Sequence, residues 1–232
     1  MADFGFRRLS VVAPFVPTWR EARSAIGAPE VLQEAKETAT LAEAVSRSTL
    51  VVGTGSLTYR KPEQQVVVLP ELGPFVSKEV GKGGQVALVF GSEKHGLTRE
   101  DLSYCHMLVE IPTDPRQPSM NLGQAVAVCL YELSSRAFPA ADGAPEKVHE
   151  LAAANEYDTG QLAPSGKLDR LAGVVEETMV AAGYSPASMQ EANYHDLRLL
   201  LRRLTLTERD MRRIMGLFRR ILWRLKRVQK GR

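Results

Sequence analysis

No apolar run in the chain approaches the roughly 20 residues needed to span a bilayer, and the N-terminus lacks the apolar core of a secretion signal. A cytoplasmic protein is therefore expected, with no membrane partner. Cysteine is scarce: Cys105 and Cys129 are the only two in 232 residues. Neither belongs to a Cys-x-x-Cys pair and both flank apolar segments, which predicts buried free thiols. His95 and His106 lack the spacing of metal ligands, so they read as ordinary hydrogen-bonded or solvent-facing histidines and no metal is expected. No serine sits in a Gly-x-Ser-x-Gly elbow. Two glycine signatures are incomplete. Gly91-x-x-x-x-Gly96 is followed by Leu97 and Thr98, so the phosphate-gripping lysine of a P-loop is missing. Gly53-Thr-Gly55 lacks the third glycine of a dinucleotide fingerprint. Both absences argue against a P-loop or dinucleotide enzyme.

What is present is a packed core and an uneven charge. The length suits one α/β domain with a smaller appendage, and 44% hydrophobic residues suit a soluble core. The net charge of +3 conceals a division. Residues 198–232 hold 13 Lys/Arg against Glu208 and Asp210, a balance of +11. The other 197 residues carry 17 basic and 25 acidic side chains, a balance of −8. A basic C-terminal segment on an acidic body predicts a polyanionic partner.

The periodicity predicts strands at Leu9–Val12, Thr49–Val52, Val86–Phe90 and Leu108–Ile111. Helical spacing appears over Trp19–Ile26, Val31–Arg47, Pro74–Val80, Arg99–Tyr104 (capped by Thr98) and Asn121–Arg136. Alternation of strands and helices predicts a mostly parallel sheet. Prolines and glycines make 138–166 a linker, with one helical turn near Val148–Ala153. Helices follow at Leu168–Ala182, stopped by Gly183, at Met189–Leu204, and from a Thr207/Asp210 cap onward. Met211, Ile214, Phe218, Ile221, Leu225 and Val228 form a seam spaced 3, 4, 3, 4, 3. It can pack inside a small bundle or against a second protomer.

The chemistry concentrates where strands end in glycine or proline loops, as ligand sites of α/β proteins do. Val89-Phe90-Gly91-Ser-Glu93-Lys-His-Gly96-Leu97 resembles the second motif of the SpoU/TrmH branch of the SPOUT RNA methyltransferases. Ile111-Pro112, then Ser119-Met120-Asn121-Leu122-Gly-Gln-Ala125-Val126-Ala-Val128, resembles the third, where Ser-Leu-Asn is usual. Val52-Gly-Thr54-Gly55-Ser56 and Arg60 resemble the preceding strand and loop. The C-terminal helices, at Leu197–Leu204 and Leu206–Met211, resemble the tail of the TrmJ type within that branch.

The resemblance implies an α/β fold whose parallel sheet carries a deep C-terminal trefoil knot, with a small all-α domain appended. Residues 1–137 would be the SPOUT domain, 138–166 the linker and 167–232 the basic helical domain. It implies S-adenosylmethionine in the knot loops, held by Thr54, Gly55, Ser56, Gly91, Ile111, Pro118, Ser119 and Met120. Glycine allows close backbone approach at such a site, and apolar Ile111 and Met120 suit an adenine face. It implies tRNA as substrate, methylated on a ribose 2′-hydroxyl of the anticodon loop by a homodimer. Asn121 and Ser119 would orient the ribose or a phosphate, or else cap the helix. Glu93 would bind backbone amides, position a partner arginine or make a structural ion pair.

One departure bears on activity. The family opens with a strand and then Asn-x-Gly-x-x-x-Arg, whose arginine is assigned to catalysis. That pattern is absent here, and Met1–Leu9 resembles the segment just after it. A late start at Met1 is the favoured reading; a deliberately shortened chain and a non-catalytic RNA-binding relative are the alternatives. Little turnover is expected from these 232 residues unless Arg60 supplies the missing cation.

Overall fold

The centre of the fold is Leu50-Val-Val-Gly-Thr54, an uninterrupted apolar run of the kind a strand covered on both faces requires. The computed structural model describes residues 1–14, 29–55, 62–136 and 160–230. In chain order the elements are β1 (Ser10–Val12), α1 (Pro29–Gln33), β2 (Lys36–Thr38), α2 (Leu41–Val45), β3 (Leu50–Thr54) and β4 (Gln65–Val68). Then come α3 (Leu72–Gly81), β5 (Val86–Val89), α4 (Arg99–Leu102), β6 (Met107–Glu110), α5 (Leu122–Arg136), α6 (Ser165–Ala181), α7 (Gln190–Arg203) and α8 (Glu208–Lys230). The main sheet is four-stranded in the order β4-β6-β3-β5, and all its pairings are parallel. Thr54, Val89, Glu110 and Val68 therefore finish along one edge.

The two faces of the sheet carry separate cores, because alternate residues of a strand point to opposite sides. Leu50, Val52 and Val109 pack with Leu72 and Val76 of α3 and Cys129 and Leu133 of α5. Val51, Val89 and Leu108 pack with Val45, Leu97 and Cys105 on the other face. Both cysteines are free and buried. Burial pushes their thiols up, Cys105 to about 12 and Cys129 to about 11, so neither forms a reactive thiolate.

Three expectations change. The stretch Val31–Arg47 is not one helix: β2 interrupts it and pairs in parallel with β1 in a separate two-stranded sheet. Pairing with β1 overrides a weak helical preference, and Thr40 Oγ1 then accepts from the Glu43 N–H to start α2. The strand β4, at Val66-Val-Val68, has no counterpart in the sequence reading. The α8 seam holds at its start and shifts towards its end: Met211 is buried and Ile214, Met215 and Phe218 pack against the core it shares with α6, but Leu222 is buried farther on while Ile221 and Val228 are 39% and 55% exposed. A straight helix drifts from a seven-residue repeat by about 20° per heptad, so the packed face runs through 211, 214, 215 and 218 to 222 and leaves 221 and 228 outside it. That face packs within the chain. The helical expectations at 19–26 and 148–153 lie outside the described residues.

The C-terminal helices dock on the α/β body. The Ser165 and Gly166 N–H groups at the start of α6 donate to Ser48 O and Ser46 O, 2.8 and 2.9 Å away, which satisfies donors a helix end leaves unpaired. Arg202 is wholly buried and donates to Asp169 Oδ1 at 2.7 Å and Ser165 Oγ at 3.0 Å. Arg198 donates to Glu100 Oε1 at 2.5 Å and to the Tyr104 hydroxyl, with its guanidinium 4.5 Å above that ring. Among the described residues no helix is long and apolar enough to cross a membrane, and no cluster could hold a metal.

His106 joins β3 to β6. Its backbone N–H donates to Val51 O at 2.8 Å, and its Nδ1 accepts from the Val51 N–H at 3.1 Å. Burial, reinforced by the Arg202 charge, pushes its imidazole down to about 3. The unfolded chain then binds a proton between about pH 6.5 and 3 that the folded chain refuses. Stability is full above pH 6.5 and falls on acidification by up to roughly 1.4 kcal/mol per pH unit. His106→Asn, which keeps an acceptor near Nδ1, should flatten urea-measured stability between pH 6.5 and 5. An unchanged slope would remove His106 as its source.

Candidate functional site

Three loops at the carboxyl edge of the sheet surround one cavity of about 340 Å³. Thr54 and Gly55 come from the end of β3, residues 90–97 from β5, and Glu110, Ile111, Thr113 and 118–120 from β6. Thr54 Oγ1 donates to Val89 O at 3.0 Å, which ties the first two strand ends together.

The 91–97 loop folds onto itself. Gly96 N donates to Ser92 O at 2.8 Å, and Ser92 Oγ accepts from the His95 N–H at 3.2 Å. Gly96 has φ +65°, a left-handed conformation that favours glycine. Leu97 is only 4% exposed and plugs into the core beside Val51 and Cys105. Thr98 then makes a full capping box with Asp101 at the start of α4. One side chain of α4, Leu102, reaches back to line the cavity.

The loop after β6 is stiffened by Asp114, which accepts from Arg116 Nε and Nη2 at 3.0 and 2.8 Å. These bonds, with one from the Arg116 N–H, hold the Asp114 carboxyl below its ordinary range. The loop ends at Asn121. Its Oδ1 accepts from the Gly123 N–H at 2.9 Å, so asparagine rather than Ser119 satisfies the helix start. Its Nδ2 donates to Glu93 Oε1 at 3.0 Å, a bridge between the second and third loops. Ser119 is exposed, lines the cavity and has no hydrogen bond to another described residue.

Of the expected site residues, Thr54, Gly55, Gly91, Glu93, Ile111, Pro118, Ser119 and Met120 line this cavity, and Asn121 is joined to it through Glu93. Ser56 and Arg60 lie outside the described residues. The reason for glycine at 91 differs from expectation: an added Cβ would lie 2.0 Å from Gly96 C and 2.2 Å from Leu97 N. The loop's own closure demands glycine there. Among the described residues, nothing lies within 4 Å of a Cβ added at Gly55. Glu93 Oε1 accepts from the Asn121 amide, a partner not among the backbone amides, partner arginine or ion pair expected for it. Phe90, Leu102, Thr113, Leu122 and Ala125 also line the cavity but were not singled out. Leu122 and Ala125 belong to the apolar helical spacing over Asn121–Arg136, and such spacing by itself cannot separate cavity-lining residues from packing.

Comparison with known proteins adds the following. Residues 1–131 match the model of the SpoU rRNA Methylase family. The chain is 31% identical over 232 residues to tRNA (cytidine/uridine/adenosine-2'-O-)-methyltransferase TrmJ of Pseudomonas aeruginosa, covering 100% of this chain and 88% of that protein. It is 31% identical over 236 residues to tRNA (cytidine/uridine-2'-O-)-methyltransferase TrmJ of Escherichia coli strain K12, covering 100% and 89%. The crystal structure of TrmJ from Z. mobilis ZM4 superposes with a TM-score of 0.78 at 26% identity, over 95% of this chain and 89% of that one.

The two glycines should separate experimentally. Gly91→Ala forces the 96–97 backbone to move and should cost about 1–3 kcal/mol, seen as a drop of several degrees in Tm. Gly55→Ala should leave Tm within a degree or so, because exposed sites free of contacts tolerate such changes. Equal Tm values for the two variants would contradict the loop closure described here.

Proposed function

This chain belongs to the SpoU rRNA Methylase family, and on that premise we propose that it methylates a ribose 2′-hydroxyl in the anticodon loop of tRNA, using S-adenosylmethionine. The carrying observation is the single cavity built from three strand-end loops. tRNA is favoured over ribosomal RNA because the family match ends at residue 131. The match to proteins named as tRNA methyltransferases continues through the basic helices to the end of the chain.

The residues present suit that cofactor. The cavity volume, about 340 Å³, lies within the range of small-molecule sites, roughly 300–1,000 Å³. Thr54, Gly55, Gly91 and Pro118–Met120 offer backbone groups for an adenine edge and ribose, with Ser56 beside them in sequence. Ile111 and Met120 offer apolar surface for the adenine face. When bound, S-adenosylmethionine supplies a methyl group already activated by its sulfonium. The chain must then orient and polarise a weak hydroxyl nucleophile. Asn121, with its amide oxygen engaged by Gly123, holds Glu93 in place. The other Glu93 oxygen and Ser119 Oγ are assigned to the incoming ribose. Arg60 is assigned the polarisation of the 2′-hydroxyl oxygen, which takes the methyl group as its proton passes to solvent.

The same reading divides the chain into a knotted SPOUT domain over 1–137, a linker over 138–166 and a basic helical domain over 167–232. It makes the active form a homodimer. Exposed Val128 and Tyr131, 38% and 59% accessible on the helix that also supplies Leu122 and Ala125 to the cavity, support a second copy against α5.

Transfer of labelled methyl to tRNA, followed by digestion to locate the 2′-O-methyl nucleotide, tests the reading. Calorimetry should detect S-adenosylmethionine, and Gly55→Val should weaken it at least about tenfold by filling space the ligand needs. Asn121→Ala and Arg60→Ala should spare cofactor affinity and lower turnover by about 10²-fold or more, since misplaced catalytic groups cost that much. Absence of cofactor binding in the folded protein would overturn the proposal. Turnover that survives Arg60→Ala would remove only that residue's role.

A further inference from the structure

The function proposed above places tRNA on the basic helices but does not say what on them reads it. On α8, Trp223 is 53% exposed, an unusual position for the largest side chain on a helix with a buried apolar face. Its neighbours one helical turn away in each direction are Arg219, Arg220, Lys226 and Arg227, all cationic. The Arg227 guanidinium stands 4.9 Å from the indole centroid. Lys226 is taken by Glu177 of α6 at 2.5 Å. Among the described residues, Arg219, Arg220, Arg224 and Arg227 meet no carboxylate. No Asp or Glu follows Asp210 in the chain.

We propose that Trp223, with Arg219, Arg220 and Arg227, is a stacking platform for an unpaired RNA base, a contact that rests on the reading of this chain as a tRNA methyltransferase. An indole face binds a nucleobase without sequence preference, and arginines beside it neutralise the flanking phosphates. A bare basic helix would recognise any polyanion. An exposed tryptophan encircled by cations matches a ligand with aromatic planes and phosphates at alternate positions, which is single-stranded nucleic acid. Duplex RNA stacks its bases internally and offers none to Trp223.

The test uses the full chain. Trp19 is the only other tryptophan, so Trp19→Phe leaves Trp223 as the sole indole emitter. Titration with a single-stranded oligoribonucleotide about eight nucleotides long should quench this emission, whereas heparin and an RNA duplex should bind with little quenching. In the otherwise native chain, Trp223→Leu keeps apolar volume without a π face. It should weaken single-strand binding about fivefold to a hundredfold and leave the dependence of affinity on salt unchanged. Trp223→Phe should restore most of the loss. Arg219→Gln with Arg220→Gln should instead make the salt dependence shallower, because fewer counterions are released.

Equal affinity of Trp223→Leu and the native chain overturns the platform, and so does quenching by heparin equal to that by RNA. Failure of the underlying reading shows differently, as native protein that neither binds S-adenosylmethionine nor methylates tRNA. Unchanged S-adenosylmethionine affinity in Trp223→Leu confirms that only the RNA contact has been altered.

Discussion

The strand pair β3–β6 is the constraint on which the site depends, and Val51 and His106 hold its entry end. Two hydrogen bonds join these residues, one along the backbone and one through the imidazole. A slip of one residue in a buried parallel pair would turn each side chain to the opposite face. Val51 and Leu108 would then leave the core they share with Leu97, and Val52 and Val109 would leave α3 and α5. Burial and the Arg202 charge keep the ring neutral, the state in which its Nδ1 can accept from Val51. With this register held, Thr54 and Glu110 finish close enough for their loops to share a cavity.

The loops add their own restraints. The second closes through Gly91, Ser92 and Gly96 and is anchored by Leu97. The third begins at Ile111 and ends in the Asn121 cap. The Glu93–Asn121 hydrogen bond links the two loops side chain to side chain, and it is exposed to solvent. A solvent-exposed hydrogen bond contributes little net stability, on the order of 1 kcal/mol. Its importance is geometric: it orients a carboxylate and an amide at the mouth of a cavity whose walls are already rigid.

The helical tail reaches the same region from behind. Arg198 of α7 grips Glu100 and Tyr104, and α4 between them supplies Leu102 to the cavity. Burial alone would raise the Glu100 carboxyl, but hydrogen bonding and charge from Arg198 and His195 outweigh it and hold the carboxyl below its ordinary range. The clasp is therefore charged at neutral pH and weakens as acid protonates Glu100. Arg202 lies deeper, against Asp169. Losing one member of such a buried pair costs more than the pair contributes, because the other charge is left without compensation. Arg198 thus joins the tail to the α/β body, and the Arg202–Asp169 pair locks α7 to α6 within the tail. Removing 198–232 to test RNA binding would strip Leu201 and Met211 from the core they share with α6, so replacing surface charges is the cleaner experiment.

Much of this was legible in the residues, and the reason is locality. Apolar runs, a Thr98 cap, a Thr207–Asp210 cap and a helix stopped by Gly183 are short-range effects, and each appears where the periodicity put it. The three chemical loops were legible because glycine, proline and a polar helix start follow directly on buried strands. What tertiary structure decided was long-range. Pairing with β1 turned Lys36–Thr38 into a strand, and a second valine run became an edge strand because β6 was there to receive it. Straight packing against α6 chose Leu222 over Ile221. Gly91 was legible as a required glycine, but only the folded loop shows that its own backbone, 2.0 Å from any added carbon, is what requires it. Sequence specifies which residues must be apolar, capped or flexible. Which partner satisfies each is decided only when distant segments compete for the same surface.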